Sequence, residues 1–241
     1  MTESIKQRFD IVREKIYNAC HRSTREIDEV KIVVVTKGQT ITKINDVLNA
    51  GALYLGENYP EETLEKIKLI ETNFNPYWHM IGHIQSRKIK MLYPTFSMIH
   101  SIDSIEVAKK VNDFYSSKNM KIQILIEINI SGESSKNGFD GSTIHKRDLI
   151  LNDYEELRKF DSLIPSGLMT MPPESKTGEE NRVYFGLCKE LLYKIQSKNN
   201  DEIFKELSMG TSFDYETAIE EGATFIRIGE AIMGERKIKN L

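Results

Sequence analysis

The stretch Lys31 to Gln39, KIVVVTKGQ, sets an amine at the end of a short apolar run. Ile32, Val33, Val34 and Val35 are β-branched in unbroken succession, the composition of a parallel strand covered on both faces. By the two-residue strand period Val33, Val35 and Lys37 share a face, so the ammonium leaves the C-terminal end of the strand on the side its valines pack. Partial desolvation disfavours the charged form of a lysine and lowers its pKa, which is the state in which an amine attacks an aldehyde to form a Schiff base. A strand-end lysine also serves simply by snorkelling to water, and this stretch alone leaves both uses open. Two later turns offer a partner chemistry. SMGTS (Ser208 to Ser212) and RIGEAIMG (Arg227 to Gly234) are built of small residues and glycines that let backbone N–H groups approach an anion, and a short helix beginning near Glu230 would aim its N-terminus at the same place.

The elements that must position these groups alternate along the chain. Glu3 to Arg22 spaces Ile5, Phe9, Val12, Ile16, Ala19 and Cys20 as one face of an amphipathic helix. Strands are expected in the opening stretch Lys31 to Gln39 and at Ala52 to Leu55, Trp78 to Ile81, Ser97 to His100, Lys121 to Ile130, Pro165 to Met169, Leu207 to Met209 and Phe225 to Ile228. Between them lie helical patterns: one that stops at Gly51, one opened by Pro60, a basic one opened by Ser86, and one with capping-box spacing at Asp103 and Glu106. A further helix follows Asp214, which can cap it. In KIQILIEINI the isoleucines fill one face, to be covered by helices, which leaves Glu127 and Asn129 pointing inward. The loops SGESSKNGFDGS and MTMPPESKTGEEN are long enough to stand at a mouth.

Eight strands, with a helix after nearly every one and no composition break, predict an α/β fold: a single (β/α)8 TIM barrel, one domain over residues 1–241, with an extra N-terminal helix. Sites in such barrels lie at the C-terminal strand ends, here Lys37, Asn58, His83, Asn129, Met169, Ser208 and Gly229, and phosphate is commonly bound after strands seven and eight. A lysine on strand one facing that cradle points to a phosphorylated aldehyde held as a Schiff base, for which pyridoxal phosphate is the obvious choice.

The 33 basic and 36 acidic residues are interspersed and sum to −3, so no charge footprint for nucleic acid or a membrane surface is expected. Apolar runs stop at four or five residues and the opening MTESIKQRFD has no secretory layout, so a cytoplasmic protein without a membrane span is expected. Cys20 and Cys188 fall in helical patterns and read as buried thiols. His79 and His83 flank a strand-like IG and are not read as a metal pair; four methionines near strand ends, 169, 171, 209 and 233, suit the apolar wall of a ring site or simple gap filling.

The set VVVTKGQ, LGEN, WHMIGHIQSRK, HSIDS, INISGESSKNGF, GLMTMPP, LSMGTSFD and RIGEAIMGER resembles the YggS/PROSC family of pyridoxal-phosphate homeostasis proteins from the first strand to the end. The resemblance implies a fold-type III barrel like the N-terminal domain of alanine racemase, with pyridoxal 5'-phosphate joined to Lys37. It implies that Ser208 and Gly229 hold the phosphate, that Arg227 faces the pyridine nitrogen, and that Asn58, His83 and Met209 belong to the pocket. Where the family often has a threonine or serine after the RIG glycine this chain has Glu230, which is assigned only through its backbone N–H, because a carboxylate facing inward would repel phosphate. The GENRVQE-like run of the family is here GENYPEE, so any part its arginine plays is lost at Tyr59. The expected function is storage, delivery or buffering of the cofactor for apo enzymes, without catalytic residues, and the alternative is an amino-acid racemase. The racemase lysine works with a tyrosine from an added β domain, which this sequence is expected to lack. Lys136, in the SSKNGF loop, is a second amine that could free the cofactor by transimination.

Overall fold

The structure is a computed structural model, and it describes residues 3–174 and 177–235; residues 175 and 176 of the second mouth loop and Arg236 of the last motif lie outside the described residues. The strands are β1 (Lys31–Val35), β2 (Tyr54–Glu57), β3 (Tyr77–Met80), β4 (Phe96–Ile102), β5 (Ile122–Asn129), β6 (Phe139–Asp140), β7 (Leu163–Thr170), β8 (Glu206–Thr211) and β9 (Phe225–Ile228). They form one sheet in the order β4-β3-β2-β1-β9-β8-β7-β5-β6, and a further β4–β5 pairing closes the ring. All pairings are parallel. With the two-residue β6 set aside as an appendage of β5, the other eight strands make the expected closed (β/α)8 barrel, so every strand C-terminus opens on one mouth.

The helices are α1 (Ile5–Arg22), α2 (Ile41–Asn49), α3 (Pro60–Ile67), α4 (Ile105–Ser116), α5 (Ile144–Leu157), α6 (Arg182–Asn199), α7 (Tyr215–Glu220) and α8 (Glu230–Met233). The extra helix α1 begins with a capping box between Ser4 and Gln7 and packs against α7, α8 and α2, tying the first and last units of the ring together. It buries Phe9, Val12 and Ile16, worth about 1.5–3 kcal/mol each. Arg25, just beyond it, donates to the carbonyls of Ile219, in the last turn of α7, and of Ala223, just after it, at 2.8 and 2.9 Å, which fastens the end of α7 to the end of α1. Cys20 and Cys188 are buried free thiols in the helical layer. Among the described residues no helix is long and apolar enough to cross a membrane.

Three local expectations are corrected. The segment opened by Ser86 is a 3-10 helix, Ser86–Met91, with three-residue bonds at its ends from the Lys88 N–H to the Gln85 carbonyl and from the Leu92 N–H to the Ile89 carbonyl. Ser104 caps α4, accepting from the Val107 N–H, whereas Asp103 turns to His83. Asp214 precedes α7 without a side-chain cap; its carboxylate is taken by Thr211 and Asn181.

Two cores result from the strand alternation. Between sheet and helices lies the large one, to which β5 contributes Ile122, Ile124, Ile126 and Ile128, as the alternation in KIQILIEINI requires. Inside the barrel Val33, Met98, Leu125, Met169 and Phe225 form a smaller plug. Above this plug the interior turns polar, and Glu127 follows Leu125 on the inward face of β5. Burial, with help from the nearby Asp103 charge, pushes the Glu127 carboxyl up from 4.5 to about 7, against the opposing pull of Arg227 and His83. The unfolded carboxyl releases its proton near pH 4.5 and the folded one near 7, so across that window the folded state binds more protons and stability falls as pH rises. Glu127→Gln is therefore expected to stabilise the protein at pH 8 by on the order of 1–3 kcal/mol and to change it little at pH 4, as read by urea unfolding. No gain at pH 8 would contradict a carboxylate held against its charged form.

Candidate functional site

Two cavities of similar size bracket the barrel. One, of about 340 Å³, lies beneath α1 at the N-terminal strand ends, lined by Phe9, Arg13, Lys31 and Tyr54 among others. The other, of about 370 Å³, lies at the C-terminal mouth and is lined by Val35, Lys37, Asn58, Ile81, Met171, Thr211, Ser212, Phe213, Arg227, Gly229 and Glu230. Its chemistry singles it out: an amine, a guanidinium and a glycine turn converge there, on an apolar wall supplied by Val35, Ile81, Met171 and Phe213.

Lys37 follows β1 on a turn that is clamped from below. The Thr36 N–H donates to the Gly56 carbonyl at 3.1 Å, and the Thr36 carbonyl accepts from the Gln39 N–H and, at 2.7 Å, from Lys66 Nζ. Lys66 comes from α3, the helix that Pro60 opens, and it also reaches the fully buried Glu57 at 2.5 Å and Glu62 at 2.7 Å. Thr36 Oγ1 donates to Glu57 as well, at 2.6 Å. Burial pushes the Glu57 carboxyl up while Lys66 and Thr36 pull it back. On the other side of the lysine, Gly38 has φ 68°, a left-handed conformation that glycine adopts without strain, and its N–H donates to Glu62 at 2.8 Å. The backbone on both sides of Lys37 is thus fixed by α3.

The opposite wall is made by the turns after β8 and β9. Ser212 Oγ accepts from the N–H groups of Gly229 and Ala231, each at 3.2 Å. The Ser212 turn is held in place by Asp214, which accepts from the Thr211 N–H at 2.7 Å and hydroxyl at 3.0 Å, and from Asn181 at 2.8 Å. Glu230 lines the cleft but its side chain is exposed. Arg227, only 4% exposed, donates through Nη1 to Ser208 Oγ at 2.6 Å and through Nη2 to the Thr170 carbonyl at 2.9 Å. Burial lowers its pKa to about 10, partly offset by the Asp214 and Glu127 charges, so it remains a cation at neutral pH. Asn58 follows β2 and lies beside Gly82; a Cβ on that glycine would stand 2.7 Å from Asn58 Cα, so the close approach of the two turns needs a glycine there.

Of the residues expected from sequence, Lys37, Asn58, Arg227, Gly229 and Glu230 share this cleft. Three do not. Ser208 is fully buried behind Arg227, its hydroxyl in contact with Arg227 and His100. Met209 points the other way, into the core under the helices. His83 sits beyond the end of β3, exposed at the rim and paired with Asp103 at 2.8 Å, where it lines a neighbouring small pocket with Asn58 and Tyr59. Thr211, Ser212, Ile81 and Phe213 were not singled out by the sequence. The signal for Ser212 was present in the SMGTS turn, but β8 runs on to Thr211 and its register with β9 shifts between Ser208 and Thr211, where Gly210 has φ 88°. That bulge breaks the simple alternation and brings the second serine, not the first, to the cleft.

The sequence matches the model of the alanine racemase N-terminal domain over residues 12–237. A pyridoxal phosphate homeostasis protein of Aquifex aeolicus is 34% identical over 235 residues, covering 96% of this chain and 98% of that one. The protein of the same name from Escherichia coli K12 is 32% identical and covers 93% and 94%. Among solved structures, PipY of Synechococcus elongatus, determined with PLP bound, superposes with a TM-score of 0.79 at 24% identity, covering 92% of this chain and all of that one. The closed barrel, the strand-end lysine and relatives alike over nearly their whole length lead to one conclusion: the chain belongs to the family of pyridoxal phosphate homeostasis proteins, built on the alanine racemase N-terminal domain fold.

Proposed function

We propose that this chain binds pyridoxal 5'-phosphate in the C-terminal cleft and serves its homeostasis in the cytoplasm, storing, buffering or delivering the cofactor without turning over a substrate, with residues 1–241 acting as one binding domain. The observation that carries this reading is that Lys37, Arg227 and the Ser212 turn open on one cavity of about 370 Å³, within the range of roughly 300–1,000 Å³ usual for small-molecule sites. Its relatives carry the name of the same activity.

The residues present fit the group. Bound pyridoxal phosphate supplies an aldehyde that condenses with a primary amine, and Lys37 is the amine that the cleft offers. Ser212 already accepts two N–H groups, which use both lone pairs of its hydroxyl, so its own proton is left to donate into the cleft, the polarity that a phosphate oxygen needs. The backbone of Gly229 and Glu230 completes that wall, while the exposed Glu230 carboxylate stays outside it. Val35, Ile81, Met171 and Phe213 exclude water from the ring faces. Arg227 has only donors and is a cation at neutral pH, so it offers a ring nitrogen a hydrogen bond and gives it no partner that would favour a protonated form. A ring kept uncharged is a poor sink for electrons from a substrate α-carbon, and this disfavours racemase chemistry. Lys136, ion-paired with Glu133 at 2.5 Å and donating to the Met171 carbonyl at 3.1 Å, stands at the rim, where a second amine suits transfer to apo enzymes.

Ser212→Ala is expected to weaken pyridoxal phosphate binding by about 5- to 150-fold while leaving pyridoxal, which has no phosphate, nearly unaffected in an absorbance titration. Equal losses for the two ligands would remove Ser212 from the phosphate wall. The carrier reading is checked separately by incubating the loaded protein with α-deuterated alanine or serine. Loss of label no faster than in the protein-free control is expected, and rapid loss that depends on Lys37 would restore the racemase.

A further inference from the structure

Behind the cleft a line of buried polar side chains crosses the barrel interior. Arg227 Nη1 donates to Ser208 Oγ at 2.6 Å, Ser208 Oγ lies 2.9 Å from His100 Nδ1, and His100 Nε2 lies 2.8 Å from His79 Nδ1. Ser208 and His100 are fully buried, and His79 and Arg227 are 3% and 4% exposed. Both imidazoles pack against Phe225, with ring centroids 5.5 Å away for His79 and 5.3 Å for His100, so neither ring is free to turn. Burial holds both neutral: the His79 pKa falls to about 3 and that of His100 well below its ordinary value, with Arg227 adding to the effect on His100.

A neutral imidazole has one donor and one acceptor, and a hydroxyl has a single proton. If His100 Nδ1 carried the hydrogen and gave it to Ser208, the serine would accept twice and its own proton would need another acceptor. No such contact to Ser208 exists among the described residues. With the serine donating to His100 Nδ1, the His100 proton sits on Nε2 and goes to His79 Nδ1, and each group along the line is used once. The direction is therefore Arg227 to Ser208 to His100 to His79.

From this geometry we infer that Ser208, His100 and His79 are positioning residues for Arg227: they form a directional hydrogen-bond line that fixes its guanidinium at the floor of the cleft. The Thr170 carbonyl holds a second guanidinium nitrogen, and the remaining N–H groups are left for whatever the cleft binds. The inference rests on the cofactor reading only for its effect on ligand binding, since the direction of the line is a property of the protein alone. It reassigns Ser208 from a contact with the phosphate to a contact with the group that meets the ring.

Two measurements test it. On the unloaded wild-type protein, ¹⁵N shifts of labelled histidine report the tautomers directly, and both His100 and His79 are expected as the Nε2–H form; an Nδ1–H form of His100 would overturn the direction whether or not any cofactor binds. On the loaded side, pyridoxal phosphate and pyridoxal are titrated against the wild type, Ser208→Ala, His100→Leu and His100→Gln. Ser208→Ala and His100→Leu are expected to weaken both ligands by the same factor, about 5- to 30-fold, leaving the preference for the phosphorylated form unchanged. His100→Gln, whose amide can accept from Ser208 and donate to His79, is expected to recover most of the loss, which a merely space-filling histidine would not require. If His100→Leu does not fold, the near-isosteric Ser208→Ala still decides. Unaltered binding in these variants, or a loss confined to the phosphorylated ligand, would overturn the inference. Failure of the wild type to bind either ligand would instead overturn the cofactor reading and leave the tautomer result standing.

Discussion

A guanidinium taken out of water into a barrel must find acceptors and countercharge, or its burial costs several kcal/mol. Arg227 meets that demand with the Ser208 hydroxyl, the Thr170 carbonyl and the more distant charges of Glu127 and Asp214. Much of the mouth follows from this one group. Asp214 serves twice, as countercharge and as the anchor of the Thr211–Ser212 turn, so the Ser212 wall of the cleft and the buried guanidinium at its floor are linked through a single carboxylate. Burial, aided by the Asp103 charge, holds the Glu127 carboxyl above its ordinary value, and the field of Arg227 pulls it back.

Across the cleft the corresponding device is the Glu57–Lys66–Glu62 network. Its charges reach Thr36 and Gly38, the residues on either side of Lys37, and the clamp is built on α3 rather than on the loop itself. A lysine on an unpinned surface loop would sample many positions, whereas Lys37 leaves a turn pinned to a strand and a helix. The family assignment and this geometry agree on the fold, and the donor-only character of Arg227 is what turns the functional reading from amino-acid chemistry toward holding the cofactor.

The parts legible in the sequence were those governed by strict alternation. KIQILIEINI gave its isoleucines to the helices and Glu127 to the interior; Val33, Val35 and Lys37 run up one face of the first strand to the cleft; Phe225, Arg227 and Gly229 do the same on the last. What alternation could not show lies beyond a break in it. The bulge at Gly210 exchanges the two serines of SMGTS between cleft and interior, and the end of β3 at Met80 puts His83 on a turn, where Asp103 and not the pocket determines its direction. The line from Arg227 to His79 draws on four strands whose side chains meet only when the sheet closes, so no local pattern announces it.

The central claim is that Lys37 is the amine that holds pyridoxal phosphate. Borohydride reduction of the loaded protein, followed by proteolysis and mass spectrometry, tests it most directly. The account predicts a phosphopyridoxyl group on Lys37 as the main product, absent from Lys37→Ala. Labelling chiefly at Lys136 or another lysine, or undiminished labelling in Lys37→Ala, would contradict it.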